Sequence, residues 1–330
     1  MMLKLIKPDQ NVVYDISDAV ESVTWSGSIL SAGRSVEFAV LNDPYDSGLK
    51  IPAVSVGDYI SFLVGSEELF YGQIFSIERS TAIGTITYTA YDMMKNLLES
   101  NGRYNFKNTT PEAIAAQVLA DIQVPYNHLE PTGINIKSMI CDSKAFYDII
   151  MGAYTQAYRI TGNRYLPMIW QRAFGVWPAV YTVGNFVLSD ELNVTAASIS
   201  EAMDGIKNTV KIYDDKGNQV GEVKDDSSLQ KFGTFQDIYT VEKGVNPTTA
   251  AKNMLKVNPT QNISLSAIGD RNCLSGYSVA VKDVATGLSG KYWIKTDKHT
   301  WQGGTYQMEL EMSFEQLMDE KDIETEEDGS

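Results

Sequence analysis

The two ends of this chain carry the same strand pattern, and few folds can accommodate that. Near the N-terminus, Gly57-Asp58-Tyr59-Ile60-Ser61-Phe62 leads to Phe70-Tyr71-Gly72-Gln73-Ile74-Phe75-Ser76-Ile77 and then to Thr85-Ile86-Thr87-Tyr88-Thr89-Ala90. Near the C-terminus, Gly276-Tyr277-Ser278-Val279-Ala280-Val281 leads to Leu288-Ser289-Gly290-Lys291-Tyr292-Trp293-Ile294 and then to Thr305-Tyr306-Gln307-Met308-Glu309-Leu310. The paired glycines stand 15 residues apart in the first copy and 14 in the second. Each segment alternates apolar and polar side chains, as a strand with one buried face does. The expectation is a mainly β chain holding two related β units.

Between the copies the pattern changes to a small α+β unit. Thr110-Pro111-Glu112 reads as a helix start: a hydroxyl cap, proline at the first helical position and an acid at the positive helix end. Ile114, Val118, Leu119 and Ile122 then share a face, with Pro125 as the stop. Ser143 is expected to cap a second helix that carries Phe146, Ile149, Ile150, Ala153, Tyr154 and Ala157 and closes near Gly162. Tyr165 to Val187 reads as strands rich in aromatics: Trp170, Phe174, Trp177, Tyr181 and Phe186. Asp92 to Ser100 reads as a short helix ended by Asn101-Gly102, and Asn42-Asp43-Pro44 as a turn. Asp214 to Asn218 reads as a hairpin loop, Asp225 to Gln236 as a loop, and Asn246-Pro247 as a third helix start. The expected division is 1–100 (first β unit), 101–190 (α+β insertion), 191–318 (second β unit with a helix) and 319–330 (acidic disordered tail).

Charge excludes one class of partner. The formal charge is −15. Seven acidic residues and one lysine between Asp319 and Asp328 account for −6 of it, so the body still carries −9. Such a surface repels nucleic acid, and no specific nucleic-acid binding is expected. No apolar run approaches the ~20 residues of a membrane span. Met1 to Pro8 lacks a signal-peptide core, which points to synthesis and retention in the cytoplasm. Cys141 and Cys273, the only two cysteines, read as buried free thiols.

The chain offers little chemistry. His128 and His299, the only histidines, fit no metal-ligand spacing and read as turn or surface residues. Asp214-Asp215 faintly resembles a calcium loop, but its acids do not alternate and no bidentate Glu follows. Asp225-Asp226 lies in a charged stretch where burial could not tune an acid–base pair. Asn108, Asn193 and Asn262 open glycosylation sequons without an export signal. No catalytic residue, cofactor or metal site is expected, and the chain reads as a non-enzyme.

The segments Val56 to Ile60, Phe70 to Ile74 and Tyr88 to Asp92 resemble the N-terminal barrel of phage tail hub proteins. So does the run Gly276 to Val279, Gly287 to Ile294, Asp297 to Trp301 and Met308 to Met312. The order of these motifs is similar to the XkdQ/YqbQ hubs of Gram-positive prophages and, more distantly, to the late control gene D proteins of contractile tails. The resemblance implies two barrel-like domains per chain, with Gly57, Asp58, Gly72, Gly276 and Gly290 at barrel-motif positions of structural importance. It also implies a homotrimeric baseplate hub whose six barrel domains join a sixfold tail tube protein to a threefold spike or tail-tip protein. Such a hub resides in a virion or phage-tail-like particle among other baseplate proteins. The competing expectation is a cell-wall-targeting tail-tip protein, either a hydrolase or a carbohydrate-binding module with Trp170 to Phe186 as its sugar platform.

Overall fold

Strand pairing in the computed structural model begins with a meander whose strands alternate as the sequence requires. The structure describes residues 1–42, 51–80, 84–241 and 246–323; the expected turn at Asp43-Pro44 and residues 324–330 of the expected tail lie outside them. The first strands are β1 (Met2–Lys7), β2 (Val12–Asp15), β3 (Val20–Ser28), β4 (Ser31–Leu41), β5 (Tyr59–Val64), β6 (Glu67–Arg79) and β7 (Thr85–Tyr91). Leu3, Leu5, Val23, Phe38, Ile60, Phe62, Ile74 and Ala90 point to one face and are buried.

A short helix, α1 (Met94–Glu99), follows, and the chain turns directly into β8 (Asn101–Thr109). Asn101-Gly102 therefore opens a strand instead of a helix-ending turn: Ser100, at the helix end, is already extended. Helix α2 (Pro111–Asp121) starts as expected, with the Thr110 hydroxyl accepting from the Ala113 amide. It ends four residues before Pro125, where Gln123 adopts a left-handed conformation. Next come β9 (Tyr126–Leu129), β10 (Ile136–Ala145) and α3 (Phe146–Thr161). Ser143 does not cap α3. It sits in an irregularity of β10 between Cys141 and Lys144, at φ +54°, and the helix starts behind Ala145 with no side-chain cap. Gly162 closes α3 at φ +76°, as its position suggested.

Strands β11 (Tyr165–Trp170), β12 (Ala173–Pro178) and β13 (Thr182–Ser189) complete this region. Its core gathers Ile114, Val118, Leu119, Met139, Ile149, Ile150 and Tyr154. Met318 joins that core and Ile323 packs against it. Asp319 is buried and accepts from the Tyr147 hydroxyl at 2.8 Å. Disorder from residue 319 is thus wrong for residues 319–323: Met318 and Ile323 bring apolar surface to α3, and burial of that surface offsets the cost of ordering the chain.

Strand β14 (Val194–Ala202) leads to β15 (Thr209–Tyr213), β16 (Gln219–Lys224), α4 (Asp226–Phe232), β17 (Gln236–Thr240) and α5 (Pro247–Asn253). The expected loop from Asp225 contains α4. Asp225 is its cap, accepting from the Ser228 amide at 2.8 Å. Buried Asn208 pins the loop after α4, donating to Gly233 O and accepting from Phe235 N. The last strands are β18 (Thr260–Ile268), β19 (Ser278–Asp283), β20 (Leu288–Gln302) and β21 (Thr305–Ser313).

Two compact units result: residues 1–197 with 264–330, and residues 198–263. They do not follow the expected boundaries at 100 and 190, because the helical core and the main sheet pack into the same unit. The smaller unit has its own three-stranded sheet, in the order β16-β15-β17, and its own core of Val210, Ile212, Val223 and Ala251. The main sheet runs β14-β18-β21-β20-β3-β4-β7-β6-β5-β1-β2, with β19 beside β20 and β13 beside β19. The fold is mainly β, as expected.

Candidate functional site

The sequence repeat is a repeat of backbone hydrogen bonds. In the first copy the Gly57 amide donates to Ile74 O at 2.9 Å, and the Ile74 amide donates to Asp58 O at 2.8 Å. In the second, the Gly276 amide donates to Ile294 O at 2.9 Å, and the Ile294 amide to Tyr277 O at 2.8 Å. Both glycines adopt positive φ, +96° and +89°, which a side chain would strain. Immediately afterwards each long strand carries an irregularity against its partner, between Ile74 and Ser76 in β6 and between Ile294 and Thr296 in β20. An extra residue there bends the strand, so its first half pairs with one neighbour and its second half with another. Farther along, the Asn42 amide donates to Gly84 O and the Gly269 amide to Tyr306 O. The strand sequence β3-β4-β7-β6-β5 is thus repeated as β14-β18-β21-β20-β19.

This register refines the motif positions. Gly57 and Gly276 are true counterparts. Gly72 lies opposite Ile60, and its counterpart is Tyr292, opposite Val279; Gly290 stands two residues earlier, opposite Val281. Gly72 is required sterically: a Cβ there would meet Tyr91 O at 2.3 Å. Gly290 faces open space, at φ +142°. Asp58 is buried and local to its copy, accepting from Lys7 Nζ at 2.9 Å and from the Ser55 amide at 2.8 Å. The sequence could not show the offset, because the β19–β20 connection is longer than that between β5 and β6.

The copies meet where β3 pairs with β20, from Ser22–Gln302 to Ser28–Thr296. A buried polar cluster spans this seam. Arg34 donates from both terminal nitrogens to the Asp297 carboxylate, which also accepts from the Ser275 amide at 2.6 Å. His299 Nε2 donates to Cys273 O at 3.1 Å, which leaves Nδ1 to accept from the Tyr306 hydroxyl at 2.9 Å. Burial works to raise the Asp297 pKa, but the Arg34 charge and the bonds from His299 and Arg34 outweigh it and hold the carboxyl well below the usual range. Arg34 also lies 4.1 Å from the Trp25 ring centre. The reading of His299 as a turn or surface residue is therefore wrong. It lies inside β20, fully buried, where β3 covers it; its alternation partners Asp297 and Trp301 are buried too. The cluster's chemistry is that of a clamp between the two copies.

Beside the clamp lies a cavity of about 680 Å³ lined by Arg34, Trp25, Tyr71, Met168 and Tyr277. At its rim Arg172 forms a two-pronged contact with Glu68 and covers the Tyr71 ring at 3.9 Å. Trp170 and Tyr181 of the aromatic run also line it. His128 is in β9, not a turn; it contacts Glu130 at 2.9 Å and stacks on Trp177. Phe174 is buried, whereas Trp170 and Tyr181 are about half exposed. Asp214 spends its carboxylate on the hairpin turn, accepting from the Lys216 and Asn218 amides. Cys141 and Cys273 are buried free thiols.

The fold is that of phage tail proteins. A 43 kDa tail protein of prophage MuSo2 from Shewanella oneidensis superposes with a TM-score of 0.71 at 14% identity, covering 95% of this chain and 98% of that one. A family model described as YqbQ-like matches residues 23–313, and the chain belongs to the YqbQ-like family. It is 29% identical over 304 residues to the uncharacterized protein YqbQ of Bacillus subtilis strain 168, covering 88% of this chain and 91% of that protein. It is 27% identical over 311 residues to the phage-like element PBSX protein XkdQ of the same strain, covering 91% and 94%.

Proposed function

We propose that this chain is a structural, non-catalytic baseplate hub of a phage tail or phage-tail-like particle. Three chains form a ring of six barrel-like β units, the terminal copies alternating around it. The ring mates with a sixfold tail tube protein on one side and a threefold spike or tail-tip protein on the other, within a baseplate of other tail proteins. The observation that carries this reading is the duplication itself: two copies with the same strand order, the same glycine-anchored bonds and the same bend in the long strand. A chain that is twofold inside lets a threefold assembly present six equivalent positions. The net negative charge suits a channel through which DNA or an acidic chain slides without sticking.

The chain would be made in the host cytoplasm and function in the assembled particle. Electron microscopy of particles carrying a tagged version of this chain tests the placement. The tag is expected at the distal end of the tail tube; label along the tube, or on the head, would refute it. Binding of the purified protein to cell-wall sacculi without any particle association would favour the cell-wall reading instead.

A further inference from the structure

The two long strands differ in one respect. Each pairs through its first half with its own short neighbour, β6 with β5 and β20 with β19. Each pairs through its second half, on the opposite edge, with β7 or β21. In β20 the remaining edge of the second half, Thr296 to Gln302, is covered by β3. In β6 the corresponding stretch, Ser76 to Arg79, has β7 on one edge and, among the described residues, no strand on the other. The burial follows suit. Asp297 and His299 are buried beneath the seam, whereas Ile77 and Arg79, at the matching positions, are half-exposed and exposed.

The strand that corresponds to β3 is β14, and among the described residues it too has an open side: it ends the main sheet, with β18 as its neighbour there. Val194-Thr195-Ala196-Ala197-Ser198-Ile199-Ser200 carries no charge and no proline, the usual devices that keep an edge from pairing. One chain therefore holds both halves of an unmade joint whose made version lies in its own interior.

We propose that β14 of one copy of this chain pairs antiparallel with the second half of β6 of the next copy, repeating between chains the β3–β20 seam within the chain. This rests on the ring reading above and names the surfaces that close it. The contact is head-to-tail, each chain giving β14 on one side and β6 on the other, so repeated pairing leaves neither of these two edges open once the ring closes. The Ile268 amide donates to Asn193 O, and Ile263, Leu265 and Ala267 of β18 are buried as Val36, Phe38 and Val40 of β4 are; counting along β14 from Asn193 aligns Ile199 with Trp25 and Ser200 with Ser26 of β3. Ser26 lies opposite Lys298, whose counterpart is Glu78. Ser200 and Glu78 of neighbouring chains are then cross-strand partners, with Cα atoms about 4.5–5.5 Å apart, a separation that a disulfide spans.

The test uses the full chain carrying Glu78→Cys, Ser200→Cys or both, oxidised under mild conditions and run without reductant, with mass measured by light scattering. The native thiols are buried and stay silent; burial pushes Cys141 up to about 11. The double variant is expected to form covalent dimers and trimers. The two single variants are expected to cross-link when mixed and not when oxidised alone. Glu78→Cys with Ala196→Cys, four residues or roughly 13 Å out of register, is expected to stay unlinked. A trimeric mass without the Glu78–Ser200 link would overturn the pairing and leave the ring intact. A monomeric mass without the link would remove both. Cross-linking of either single variant by itself would mean like edges meet, which also overturns the pairing.

Discussion

Replacing Arg34 by methionine tests whether the seam is clamped by charge. The guanidinium is nearly buried and the Asp297 carboxylate is completely so. Removing one partner of a buried ion pair strands the other, at a cost of about 3–5 kcal/mol. The Ser275 amide and His299 remain near Asp297, which places the expected loss toward the lower end of that range. The pH dependence has a defined sign. In the wild type the folded Asp297 pKa is depressed, so its contribution is present above the ordinary carboxylate pKa and fades as pH falls below it. Without Arg34, burial dominates and raises that pKa. The Arg34→Met deficit is then full at pH 8 and shrinks as the solution is acidified toward pH 4. Urea unfolding followed by tryptophan fluorescence measures this cleanly, since all five tryptophans lie outside residues 198–263 and report on the larger unit alone. Combining Arg34→Met with Asp297→Asn should cost less than the two losses added, because the double variant leaves no unpaired charge. A loss under about 1 kcal/mol, or a deficit that does not change with pH, would refute the clamp.

Three further outcomes follow. Gly72→Ala should be the most destabilising of Gly72→Ala, Gly57→Ala and Gly290→Ala in thermal melts, since its Cβ meets backbone; Gly57→Ala should cost on the order of 1–3 kcal/mol for its positive φ. Asp92 is buried with a pKa raised to about 7, first by burial; its contribution is full below the unfolded value and lost as pH rises through 7, so wild-type stability should fall between about pH 4 and 7 and Asp92→Asn should flatten that slope. Met318→Ala should cost about 2–4 kcal/mol in urea unfolding, as expected for a large-to-small change in a core; a change within error would mean the segment after Ser313 does not secure the helical core.

The strands were legible because alternation is a local signal. The helix starts at Thr110-Pro111 and Asn246-Pro247 were legible because caps are chemical. What failed was non-local. His299 looks polar and exposed until β3, some 270 residues away, is laid over it. Asp297 resembles any surface acid until Arg34 arrives from β4. Helix α4 was lost in a polar stretch because its hold on the fold runs through two buried polar side chains, Asn208 and Ser228. The repeat itself was visible, yet its register slipped by two at Gly290, where glycine spacing was a poorer guide than the bond to Ile294.

The claim on which the account stands is that a doubled chain builds a sixfold annulus from three subunits. A cryo-electron microscopy reconstruction of the purified assembly addresses it directly. Three chains with the β3–β7 and β14–β21 units alternating at one radius is the predicted map; six chains in the ring, or the two units at different radii, would contradict it.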